Sequence, residues 1–339
     1  MRSAAILLSV AALLSFGAAH AGCTLEAAAS LPVHAEDGRI FLSGSVNGHP
    51  VEFLVNPAYR SVALNTAWQG LTIGHGGDFT TVLGEERPTG PFGIVDEGPN
   101  SVTLDRMVYV KKGNLPNFGI PGAVVMLGAD LLARFDVEFD LAHDLLVLYR
   151  PSGCDGVKEG YWDRQAQAAD MLPNLGRPWM IVNVEPFTSY SFPYVTLSAS
   201  VNGRPVRAAI DAGQRQSFLS LTMAHELGVD REDMTETDPT PDLFDGYSHR
   251  TWIGSFDTVT LGGETVGPVK LRVRSLQPAP GTVPPATGTL LREPLLEQGE
   301  MVLGADFLLT HRVLFSFSQH KVYFTRAGNR PFLGKEMQP

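Results

Sequence analysis

The chain contains a copy of itself. "SVNGHPVEFLVNPAYRSVALN" (Ser45 to Asn65) and "SVNGRPVRAAIDAGQRQSFLS" (Ser200 to Ser220) align without gaps at an offset of 155 residues (200 − 45). A repeat at fixed spacing restricts the fold to two copies of one supersecondary unit. In each copy Val-Asn-Gly reads as a hairpin turn between two alternating apolar segments. A second pair, "LGADLLARFDVEFDLAHDLLVLY" (Leu127 to Tyr149) and "LGADFLLTHRVLFSFSQHKVYF" (Leu303 to Phe324), recurs at an offset of 176 (303 − 127). The extra 21 residues (176 − 155) of the second copy are assigned mostly to the proline-rich stretch from Ser275 to Leu290, which reads as an exposed loop. Each copy therefore runs strand, turn, strand, loop, short helix, further strands, Gly-Ala-Asp, a second short helix and a closing hairpin. Strands outnumber helices, and the predicted class is mainly β, built as two tandem lobes.

The predicted boundaries are an export signal over 1–21, a first lobe over 30–150, a connector over 151–184, a second lobe over 185–327 and a tail over 328–339. Met1 to Ala21 opens on a basic residue, continues with an apolar run too short to span a bilayer and closes on Ala19, His20, Ala21. This predicts export to the periplasm or the medium. Acylation of Cys23 fits less well, because His20 stands where a lipobox prefers leucine. No later segment is long and apolar enough for a membrane span. The only cysteines are Cys23 and Cys154, and an oxidising compartment predicts that they pair. A net charge of −10, without clustered Lys and Arg, argues against nucleic acid as a partner.

Asp211 ends the apolar run "VRAAI" and is followed by Ala212 and Gly213, a glycine that permits a tight turn and close approach of another backbone. Ser220 then precedes "LTMAHELGV", the pattern of a capped helix. A carboxylate at the tip of a buried strand is an expensive place for a charge without a role; the plain alternative is a turn aspartate bonding local N–H groups.

At these residues the chain resembles the retropepsin-like aspartic proteases. "IDAGQRQSFLS" is similar to the family's active-site loop, and "LGADFLL" to the apolar-apolar-Gly element that packs beneath it. The early "CTL" and "LPV", "RPSGC" followed by "YW", and the closing "GADFLLTHRVLFSFSQHKVYFTR" resemble an exported bacterial branch with two repeats. The resemblance implies two β-barrel lobes in a bilobal, pepsin-like arrangement, a peptide or protein substrate and no cofactor. It also implies two carboxylates that share a proton and activate water.

One offset back from Asp211 stands Asn56, followed by Pro57 and Ala58 where Thr or Ser and then Gly are expected. An amide cannot take or give the catalytic proton, a loss that typically lowers the rate by about 10² to 10⁴. Pro57 has neither N–H nor hydroxyl with which to brace a facing loop. Asn56 is read as an Asx-turn residue, with a hydrogen bond to Asp211 as its residual role. Asp211 is then the single candidate catalytic residue, and activity is expected to be weak or absent; the alternative is a non-catalytic peptide-binding relative in the cell envelope. A two-lobe monomer is expected from the short connector, with a homodimer as the other possibility.

A flap is placed on Leu243 to Gly254, with Tyr247 overhanging the cleft. Asp130 and Asp306 are read as helix N-caps. "AHELG" around His225 lacks a second His four residues on, so no metal site is predicted.

Overall fold

The computed structural model describes residues 23–36, 38–46, 49–58, 62–63, 80–84, 87–89, 94–96, 101–105, 123–154, 166–172, 195–241, 248–280, 300–327 and 332–333. The leader, most of the connector and Tyr247 lie outside them. Among the described residues strands dominate, in one 12-stranded sheet, one 9-stranded sheet and a separate pair. No described helix is long and apolar enough to cross a membrane.

The second half shows how local sequence builds the scaffold. Strands Thr196–Val201 and Arg204–Ile210 form a hairpin turned by Asn202 and Gly203. Both turn residues have positive φ, 49° and 74°, as a two-residue turn matching strand twist requires. Asn202 Oδ1 also accepts the N–H groups of Asp257 (2.8 Å) and Thr258 (3.2 Å), fixing the start of strand Val259–Leu261, which pairs with Thr196–Val201. Arg204–Ile210 then runs parallel to Met301–Leu303, pairing Ile210 with Leu303. Strands flanked on both sides read as apolar runs, which explains why "AAI" and "MVL" are wholly buried.

The first half is built alike. His49–Asn56 runs parallel to Ala123–Gly128 and pairs Val55 with Leu127. Val55 and Leu127 are the residues that the two sequence offsets match to Ile210 and Leu303.

The long first strand, Thr24–Glu36, pairs with Leu145–Ser152 so that Thr24 lies opposite Ser152. This register puts Cys23 beside Cys154, and the two form a disulfide closing a 131-residue separation. The predicted pairing is thereby observed.

The closing hairpins meet across the halves. Asp136–Asp140 of the first pairs antiparallel with His311–Ser316 of the second, matching Val137 with Phe315, Glu138 with Leu314 and Phe139 with Val313. At the 176-residue offset Val137 corresponds to Val313 and Phe139 to Phe315. The pairing is therefore reciprocal about Glu138 and Leu314, as a pseudo-two-fold axis demands. On one face Phe139 and Phe315 meet edge to face at 5.2 Å, both buried.

The proline-rich stretch is shorter as a loop than its composition predicted. Strand Val269–Pro278 continues through Ser275 to Pro278, held by pairing of His249 with Pro278; the rest, from 281 on, lies outside the described residues.

Candidate active site

Two parallel-paired strands deliver Asn56 and Asp211 to the same point. Asp211 N–H donates to Leu303 O at 2.9 Å, ending the strand, and Gln214 N–H donates back to Asp211 O at 3.2 Å, closing the turn. Asp211 Oδ1 accepts two hydrogen bonds, from Gly213 N at 2.8 Å and from Asn56 Nδ2 at 2.8 Å. Asn56 Oδ1 in turn accepts Ala58 N at 3.0 Å. Each side chain thus caps the amide two residues ahead of it, so the loops mirror one another. The amide orientation follows from this, since only the oxygen can accept from Ala58 and the nitrogen is left to face the carboxylate. Asn56 is both an Asx-turn residue and a donor to Asp211.

Asn56, Ala58, Asp211 and Ala212 are all 0% exposed, and Pro57 and Gly213 are buried with them. The six loop residues picked from sequence are therefore all buried, and hydrogen bonds join Asn56, Ala58, Asp211 and Gly213. Its chemistry is that of one carboxylate and one amide. The amide has no proton to share, so the one-proton state of a carboxylate pair is not available here.

The loop rests on Gly304-Ala305-Asp306. Ala305 N donates to Gln214 O at 2.7 Å. A Cβ at Gly304 would sit 2.7 Å from Gln214 O, so only glycine permits this close approach.

Asp306 is not the predicted N-cap. Helix Ala305–Thr310 is capped by Gly304, and Asp306 is its second residue. Its carboxylate turns to the active-site loop instead, where it accepts Ser217 N at 2.9 Å on both oxygens and Ser217 Oγ–H at 2.6 Å. Ser217 Oγ in turn accepts Gly304 N at 3.0 Å. Burial pushes the Asp306 pKa up, opposed by the bonds from Ser217 and by the Phe307 N–H. In the first half, Asp130 likewise falls second in helix Ala129–Leu132 rather than before it.

Sequence reasoning passed over two of these groups. The Asp306–Ser217 tie was hidden by a sound capping pattern; the signal was that Ser217 has no hydroxyl counterpart in the first copy, where the offset gives Val62. Arg274 gave no signal at all, since alternation in "LRVRSL" reads it as solvated. It is 1% exposed, donates to Gln214 Oε1 at 3.2 Å and lies 4.9 Å above the Phe218 ring.

Ser220 caps helix Leu221–Glu226 as predicted, accepting Met223 N at 3.2 Å. His225 sits at its end against Asp230. Among the described residues no group of three His, Cys, Asp or Glu could hold a metal ion. The flap candidate falls on a long hairpin, Thr235–Pro241 with Ser248–Phe256, whose last pair is Pro241 with Ser248. Its tip, with Tyr247, is outside the described residues.

Residues 197–307 match the family model described as Aspartyl protease. No curated protein matches the chain. Among solved structures, basic 7S globulin from soybean is 11% identical over 90% of this chain and 97% of that one, with a TM-score of 0.45. An aspartic proteinase from Irpex lacteus is 11% identical over 91% of this chain and 99% of that one, TM-score 0.43. A retropepsin-like aspartic protease from Rickettsia conorii is 16% identical over 33% of this chain and 65% of that one, TM-score 0.21.

Proposed function

We propose that the chain, whose residues 197–307 match the family model described as Aspartyl protease, is an aspartic-type endopeptidase homologue with one retained carboxylate, Asp211, and weak or absent peptidase activity. The observation that carries this reading is the 2.8 Å hydrogen bond from Asn56 Nδ2 to Asp211 Oδ1. In the family's chemistry one carboxylate acts as base while the other, protonated, acts as acid. Asn56 supplies a donor that is never released. Asp211 can orient or weakly activate a water, but the Asn56 amide opposite it cannot return a proton to the leaving amine.

On this reading the first loop, Asn56-Pro57-Ala58, is a retired copy of Asp211-Ala212-Gly213 in a duplicated chain. The division into lobes over 30–150 and 185–327, joined by 151–184, is part of the same proposal. So is export, supported by the leader and by the disulfide.

The complete burial of Asp211 and Asn56 favours a second reading, a peptide-binding module of the cell envelope. A substrate carbonyl does not reach a carboxylate with no exposed surface, whereas a peptide held elsewhere on the fold does not need to.

The test is cleavage of unstructured protein and peptides from pH 3 to 7 by the purified chain, by Asp211→Asn, and by the triple variant Asn56→Asp, Pro57→Thr, Ala58→Gly. Little or no cleavage by the wild type and a gain in the triple variant are expected. Robust wild-type cleavage that survives Asp211→Asn sinks the site assignment. Strong cleavage abolished by Asp211→Asn sinks the retired-loop reading. Peptide binding without cleavage, measured by fluorescence anisotropy, selects the module.

A further inference from the structure

We propose that the acidic strip Asp136, Glu138 and Asp140 makes the first half's closing hairpin an interaction surface that accepts only the second half's hairpin, committing Asp211 to face Asn56. The consequence for Asp211 rests on the reading above; the selectivity of the pairing does not.

The three acids alternate along one strand and therefore share a face. All three are buried, with Glu138 1% exposed. Each is answered from across the halves or from its own hairpin. Asp136 accepts Ser316 Oγ–H at 2.8 Å, Ser318 N at 2.9 Å and Ser318 Oγ–H at 2.7 Å. Glu138 accepts the Tyr149 hydroxyl at 2.6 Å and the Arg312 guanidinium. Asp140 lies 3.5 Å from the same guanidinium, and His143 Nδ1 of its own hairpin lies 2.9 Å from both of its oxygens.

The reciprocal register turns these contacts into a rule about partners. At the 176-residue offset Asp136, Glu138 and Asp140 correspond to Arg312, Leu314 and Ser316. Two first-half hairpins paired in this register would set Glu138 against its own copy and each Asp136 against an Asp140. Like charges directly opposite are destabilising, and here all would be buried. Two second-half hairpins would meet without repulsion, Leu314 on Leu314. Their formation, however, takes the Arg312 guanidinium and the Ser316 and Ser318 donors away from both acidic strips, a loss of buried hydrogen bonds that Tyr149 on Glu138 and His143 on Asp140 offset only in part. Mixed pairing, whether within one chain or exchanged between two, keeps the cross-half bonds of Asp136 and Glu138 and sets no acid against another. In each such form position 56 faces position 211. Self-pairing that would bring two Asp211 loops together is disfavoured by a feature remote from them.

The test uses the full chain and reads unfolding and mass, so it is independent of any peptidase assay. Urea unfolding of Glu138→Gln, Arg312→Gln and the double variant forms a cycle. A double variant distinctly less destabilised than the sum of the singles is expected; additive losses overturn the proposal. A second variant, Arg312→Asp with Leu314→Glu and Ser316→Asp, copies the acidic strip onto the second hairpin. It is expected to be largely unfolded at pH 7 and to regain structure as pH falls toward 4, which separates charge repulsion from a general failure to fold. Wild-type stability of this variant at pH 7 overturns the proposal, as does a variant that acid does not rescue. No disulfide between two copies of Ala212→Cys is expected, whatever mass sedimentation gives, because position 211 faces position 56 in either form; a dimer cross-linked through position 212 overturns the commitment of Asp211.

Discussion

Asn56 Nδ2 lies 2.8 Å from Asp211 Oδ1, joining two buried residues 155 positions apart, neither of them exposed. Asn56→Ala removes a donor from a buried carboxylate and the acceptor of Ala58 N–H, and is expected to lower stability by about 1–3 kcal/mol in urea unfolding. Asn56→Asp has a different signature. Two carboxylates in contact keep one proton between them, so the folded variant binds more protons than the unfolded chain at neutral pH. Relative to wild type its stability is then expected to fall as pH rises, by about 1.4 kcal/mol per pH unit for one proton. Parallel pH profiles of the two proteins would show that the side chains do not share a site.

Asp306 holds Ser217 by both its N–H and its hydroxyl. Asp306→Ala leaves these buried donors without their acceptor and is expected to destabilise the fold by about 2–4 kcal/mol, with faster hydrogen exchange over Asp211 to Ser217. Burial raises the Asp306 pKa above its ordinary 3.8, so the folded state holds this proton more tightly than the unfolded one. The sign follows: the contribution of Asp306 to stability is greatest in acid and is lost as pH rises from 3.8 through the raised value. Asp306→Asn should remove that part of the pH slope, measured by unfolding at a series of pH values.

His311 shows the opposite dependence. Its ring is 1% exposed among Phe307, Phe324 and Phe332, with Nδ1 at 2.9 Å from Phe307 O and Nε2 at 3.2 Å from Glu264. Burial lowers its pKa below 6.5, against the pull of Phe307 O and Glu264; Arg326 on the far side of Glu264 adds to the lowering. Stability from the neutral ring is complete above 6.5 and is lost as pH falls through the depressed value. His311→Gln should flatten the pH profile of the melting temperature below 6.5.

The disulfide ties the first strand to the end of the first half's closing hairpin. Cys154→Ser is expected to cost about 2–4 kcal/mol, chiefly by freeing the unfolded chain. Denaturant unfolding with and without reductant checks this, and reductant should not affect the variant.

Much of this was legible in order along the chain. The matched segments fixed which strands correspond, because a side-chain period of two leaves little freedom in register when one face is buried. The Asn202-Gly203 turn, the Ser220 cap and the cysteine pair followed from local chemistry and count. Asp306 and Arg274 did not follow, because capping propensity and strand alternation are local rules that tertiary contacts overrode. By itself the sequence determined the two copies, the mainly β class, and the presence of one aspartate and one asparagine at matched positions. Only the tertiary structure decided that those two side chains touch and that Asp306, besides accepting the Phe307 N–H of its own helix, holds Ser217. It also decided that the closing hairpins pair reciprocally about Glu138 and Leu314. Such contacts join residues 89 to 180 positions apart, and their formation depends on buried donors and acceptors finding partners once the sheets have assembled, which no local pattern records.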